Sequence, residues 1–162
     1  MKKYLFFIIF IIIIIASIIC GILVSNNNDV KNINVSLKYS GFSTESDFSI
    51  FNSAEKVYRN KKNGYNIIKI DCLIKNSLNK AINVTGAEPL NDNDFIIPDE
   101  CIDIEPTFPI NANTQLNVTM YVYAKENLTE EEIKERIKKV NINLVFYTEK
   151  GEKIVPDSYW SS

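Results

Sequence analysis

The chain has 162 residues, with 18 Lys plus Arg against 20 Asp plus Glu and no histidine at all. Without imidazole, triads of the Ser-His-Asp or Cys-His kind cannot form, and the commonest general acid–base is missing. The acidic balance also argues against nucleic acid, and against tight docking on anionic lipid, because both need basic patches.

Residues 4–24 form an unbroken apolar run, preceded by Lys2 and Lys3 and followed by Ser25, Asn26, Asn27, Asn28 and Asp29. A helix rises about 1.5 Å per residue, so the run is long enough to cross a hydrocarbon core of roughly 30 Å. The leading lysines favour a cytoplasmic N-terminus and an exported remainder. Residues 1–25 are therefore expected to be a transmembrane anchor, 26–31 a short polar linker and 32–162 an extracytoplasmic domain. The rival readings fit less well. A cleavable signal peptide has a shorter apolar stretch and small residues before the cut, whereas Leu23 stands two residues before Ser25, the last residue ahead of the best cut. Lipidation at Cys20 wants a small residue where Ile19 stands, and the glycine and glutamate of pilin stalks are absent.

The exported part, roughly 135 residues, amounts to one domain and can bury a core without staples. Setting aside Lys2 and Lys3, its 16 basic residues face 20 acidic ones. It reads mostly as strands, with apolar and polar residues alternating as half-buried strands require. Ile33, Val35, Leu37 and Tyr39 make the first. Asn63-Gly64 is a hairpin signal, since both residues tolerate positive φ. The strongest strand follows at 65–75, with Ile68, Ile70, Cys72 and Ile74 on one face. Ile82 and Val84 come after a polar turn. Leu116, Val118, Met120 and Val122 then point inward, with Asn117, Thr119, Tyr121 and Tyr123 outward. A helix starts at Thr129, where Glu132 completes a capping box and Leu128 with Ile133 forms a hydrophobic staple. It is too short to stand alone, so it must lie on the sheets as a crossover. Val140, Ile142, Leu144 and Phe146 mark the next strand, and Lys150-Gly151 turns into a short one at 153–155. Clean alternation in many strands predicts an all-β, antiparallel sandwich of two stacked sheets, with one short crossover helix.

The segment Ile68-Lys69-Ile70-Asp71-Cys72-Leu73-Ile74-Lys75-Asn76-Ser77, followed by Ile82-Asn83-Val84, resembles the first core strands of bacterial immunoglobulin-like domains. Phe108-Pro109-Ile110-Asn111-Ala112-Asn113-Thr114-Gln115-Leu116-Asn117-Val118 is similar to their proline-bounded loop and next strand, with Ala112-Asn113 where the family usually carries a glycine. The likeness spans residues 65–148. It implies an extracytoplasmic binding or assembly module, with no catalytic residues to carry over.

Candidate sites are few. Three scattered cysteines and five glycines offer neither a paired zinc spacing nor a phosphate loop, and no cofactor is expected. Calcium wants six to eight hard oxygens, which the acidic tract could supply through Asp92, Asp94, Asp99 and Asp103. Yet no turn glycine or calcium-loop spacing is present, and a solvated loop is the simpler reading. Cys72 and Cys101 are the disulfide candidates in an oxidising compartment. Alternation puts Cys72 with the core and Cys101 on the face of Asp103, which opposes pairing. Tyr121, Tyr123 and Tyr147 make a binding face if their strands share a sheet, or a covered one.

The expected function is a non-enzymatic, membrane-anchored binding or assembly module. Its partners are the membrane, through residues 4–24, and a protein or cell-wall component, with no nucleic acid. The alternatives are an accessory subunit of a membrane complex, or a secreted or lipidated form of the same domain. Abundant Lys, Ile and Asn beside only Arg59 and Arg136 suggest AT-rich coding DNA, as in low-GC bacteria.

Overall fold

A computed structural model describes residues 11–12, 14–15, 29–44, 52–103 and 109–161. The expected membrane span at 4–24 lies outside the described residues, apart from Ile11, Ile12, Ile14 and Ile15, which are helical and exposed. Among the described residues no helix is long and apolar enough to cross a membrane.

The elements run β1 (Ile33–Phe42), α1 (Asn52–Arg59), β2 (Tyr65–Asn76), β3 (Ile82–Ala87), β4 (Phe95–Ile96), β5 (Ile102–Asp103) and β6 (Thr114–Lys125). They continue with α2 (Glu130–Ile137), β7 (Leu144–Thr148), β8 (Lys153–Ile154) and β9 (Ser158–Trp160). The protein is mostly β. One sheet has the order β4-β6-β2-β1-β9, with β5 also pairing β6, and a three-stranded sheet has the order β3-β7-β8. Pairing is antiparallel except between β1 and β9, which run parallel. The expected purely antiparallel arrangement is thus corrected to a mixed sheet. The chain end returns beside β1 in the same direction, a long-range pairing that no local turn signal announces.

Both sheets bury their apolar residues in one core. Val35, Leu37, Ile70 and Met120 from the larger sheet cluster with Val84, Leu144 and Phe146 from the smaller. Each such side chain, fully buried, contributes about 1.5–3 kcal/mol. Helix α2 carries the chain from β6 to β7 and adds Ile133 and Ile137 to that core. Its capping box forms as its sequence demands. Thr129 N–H donates to Glu132 Oε2 at 2.9 Å, and Glu132 N–H donates to Thr129 Oγ1 at 3.3 Å. Leu128 and Ile133, the staple positions, are both buried.

Two turns carry positive-φ glycines. Gly151 (φ 79°) closes the β7–β8 hairpin, where its N–H donates to the Thr148 carbonyl at 2.9 Å. Gly64 (φ 83°) precedes β2, but the element before it is α1, so this turn joins a helix to a strand and makes no hairpin.

The chain changes sheets between β2 and β3, and Asn76 holds that corner. Its side chain is fully buried. The two N–H of Nδ2 reach the carbonyls of Lys80 (2.9 Å), Ile110 (3.0 Å) and Asn111 (3.0 Å), one of them shared between two acceptors, and Oδ1 accepts from Leu78 N–H (3.0 Å). Ile110 in turn exchanges two backbone bonds with Ile82 at the start of β3. One side chain therefore stitches both sheets at their junction.

Candidate functional site

The outer face of the larger sheet is built from residues that alternation turns away from the core. Register sets them in rows across the strands. Ser36 on β1, Leu73 on β2 and Asn117 on β6 make one row, and Lys38, Asp71 and Thr119 make the next. On β9 Tyr159 stands beside Ser36, and on β5 Asp103 stands beside Thr119. The two central rows and Ser161 line an open groove of about 590 Å³. Where β2 ends and β6 begins, Lys75, Gln115 and Thr114 line a smaller hollow of about 290 Å³. Leu73 on the groove floor is 38% exposed and Tyr159 at its edge is 55% exposed. Trp160, between Tyr159 and Ser161, turns the other way to pack on the core, and its Nε1 donates to the Val140 carbonyl at 3.1 Å.

The same face is closed on the other side of the Lys38–Asp71–Thr119 row. There Lys69 pairs with Tyr121 and Ile67 with Tyr123, and α1 lies across them. Val57, Ile67, Tyr121 and Tyr123 form a second buried cluster, flanked by Tyr65 and Ile96. The Tyr123 hydroxyl donates to the Val57 carbonyl at 2.6 Å, and burial raises its pKa. Lys56 pairs with Glu100 at 2.6 Å, tying α1 to the loop before β5. The face is thus half roofed and half open.

The open half offers short hydroxyl and amide groups, which both donate and accept, around an apolar floor. Lys38 and Asp71, the charged pair in the groove, stand directly opposite on neighbouring strands. Sequence reasoning placed Asn117 and Thr119 outward but did not single out the groove, because rows across strands require the register.

The candidate residues distribute differently from expectation. Tyr121 and Tyr123 are buried under α1, while Tyr147 lies on β7 of the other sheet. They do not form one face. Asp92 Oδ1 accepts from the N–H groups of Asp94 (2.7 Å) and Phe95 (3.0 Å), so this carboxylate builds a turn. Asp94 accepts from Arg136 at 2.7 Å and faces Lys125 at 3.5 Å, docking α2 against the β4–β6 edge. Asp99 lies exposed in a loop and Asp103 on β5. Among the described residues no three His, Cys, Asp or Glu side chains gather as metal ligands, so the calcium arrangement is not formed.

The Arg136 hydrogen bond, helped by the charges of Arg136 and Lys125, holds the Asp94 carboxyl below its usual range. A depressed carboxylate pKa adds stability above the unfolded aspartate value, and that stability is lost as pH falls through the folded value. The melting-temperature gap between wild type and Asp94→Asn should therefore be widest near neutral pH and shrink below about pH 4.

Cys72 and Cys101 are both free and buried. Strand β6 runs between β2, which carries Cys72, and β5, which Cys101 immediately precedes. Two strand spacings separate the backbones by about 9.6 Å, beyond the roughly 7 Å that a disulfide spans. Cys101 is buried along with its neighbour Ile102, against the strict alternation expected, because Glu100 (φ 56°) turns the chain first. Burial pushes the Cys101 thiol up to about 12 and raises that of Cys72 further. Iodoacetamide should leave both unlabelled in the folded protein and label both after denaturation, since the thiolate is the reactive form.

No protein-family model matches this sequence, and no curated protein matches it. Among solved structures the chain is similar to a FixG-related protein from Vibrio parahaemolyticus. That similarity has 12% sequence identity and a TM-score of 0.37, covering 78% of this chain and 93% of the other.

Proposed function

We propose that this chain is a non-enzymatic binding or assembly module of a low-GC bacterium, held in the membrane by residues 4–24. In this reading residues 32–162 stand outside the cell on an immunoglobulin-like sandwich scaffold, and the open half of the larger sheet is the surface that meets the partner. The observation that carries it is the contrast across one face. Helix α1 roofs the rows of Tyr121 and Tyr123, while the adjoining rows of Leu73 and Asp71 stay uncovered. An exposed leucine framed by polar side chains on a rigid sheet is the layout of a small interaction surface. A non-enzymatic role is supported by the groove's openness. Catalytic electrostatics gain their strength where water is excluded, and this groove is open to it.

The test uses the full chain in detergent micelles, sedimented with isolated cell envelopes. Wild type should be retained, and Leu73→Asp should lower retention about tenfold, equivalent to the loss of one good contact of about 1.4 kcal/mol. Tyr147→Ser, on the other sheet, should leave it unchanged. Equal retention of wild type and Leu73→Asp rejects the groove. The cellular location has its own check, since protease added to intact cells should digest the C-terminal portion.

A further inference from the structure

Resting on the reading of this face as the binding surface, we infer that its ligand is an uncharged polysaccharide strand. Lys38 and Lys75 on the open face are balanced by Asp71 and Asp103, and Lys38 and Asp71 are direct cross-strand neighbours. A face balanced in this way gives no long-range pull on a polyanion or a polycation. Its ligand is therefore recognised by hydrogen bonds and shape.

The chemistry of the rows then narrows the class. Ser36, Asn117 and Thr119 present groups that both donate and accept, as a ligand rich in hydroxyls requires, while the Ser161 hydroxyl donates to the Leu37 carbonyl at 3.0 Å and can only accept. Leu73 and Tyr159 lie in the Ser36 row, apolar surfaces on which the C–H faces of sugar rings can rest. The row from β9 to β6 crosses three strand spacings, about 14 Å, enough for a short run of sugar rings. Peptides fit less well. An extended peptide binds by adding to a sheet edge, and a docked helix needs a continuous apolar groove, whereas this is a sheet face with two separated apolar side chains.

The experiment titrates the full chain in detergent micelles with a β-1,4-linked pentamer of N-acetylglucosamine, followed by calorimetry. Saturable binding is expected that changes little from low to high salt, since the pentamer carries no charge to screen. Leu73→Asp and Tyr159→Ala should each weaken it about tenfold, while Tyr147→Ser should not. Both groove positions are exposed, and an unchanged circular-dichroism melt confirms that the variants fold. If wild type gives no saturable heat with the pentamer while envelope retention still depends on Leu73, the glycan inference is overturned and the binding face stands, with a protein partner indicated. If retention is also indifferent to Leu73, both readings fall. Pentamer binding that Leu73→Asp and Tyr159→Ala leave intact overturns the assignment to this face.

Discussion

Replacing Phe146 with alanine should lower the stability of the folded domain by about 3–5 kcal/mol, the usual cost of emptying a buried aromatic site. Phe146 is fully buried and occupies the centre of the smaller sheet, paired with Val84 on one side and Ile154 on the other. That sheet is small, since β7 is five residues long and β8 only two. The cavity would thus open at the interface between the sheets, where neighbouring strands cannot easily collapse into it. Urea unfolding measures the loss through the midpoint. Phe146→Leu, which keeps most of the volume, should lose no more than about 1.5 kcal/mol. Similar losses for both variants would mean that packing between the sheets is loose.

Asn76→Ala should cost about 3 kcal/mol, for a different reason. Three carbonyls and one N–H, from Lys80, Ile110, Asn111 and Leu78, lose their side-chain partner at a buried corner. Leaving a buried polar group unpaired costs more than a hydrogen bond contributes on balance. The melting temperature should fall by roughly 10 °C. Asn76→Asp separates hydrogen bonding from volume. It keeps the shape and the acceptor but turns a carboxylate toward three carbonyls, so it should destabilise at least as much as alanine. A harmless Asn76→Asp would show that the side chain only fills space.

The long strands were legible because alternation is a local signal. Ile68, Ile70, Cys72 and Ile74 all turn inward on β2, and Val118, Met120 and Val122 do so on β6. Helix α2 was legible through its capping box and staple. Helix α1 was not, because Val57 is the residue it commits to the buried cluster and it shows no apolar stripe. Its trace in the sequence is Asn52 followed three residues later by Glu55, the pattern of a helix start. Missing α1 hid the roof over Tyr121 and Tyr123, which with Tyr147 on the other sheet make no common face. The two-residue strands β4 and β5 are too short to show a period. The β1–β9 pairing joins Val35 to Ser158 across most of the chain, and no local pattern encodes it. The groove lies beyond local reading for the same reason. Ser36, Leu73 and Asn117 become neighbours only once three strands are in register.

In the proposed reading the uncovered half of the larger sheet meets the partner. A photo-crosslinking amino acid placed in turn at positions 117 and 147 of the full chain, and irradiated in intact cells, tests it most directly. An adduct with an envelope component should form from position 117 in the groove, and not from position 147 on the opposite sheet. Adducts from position 147 with none from position 117 would contradict the account.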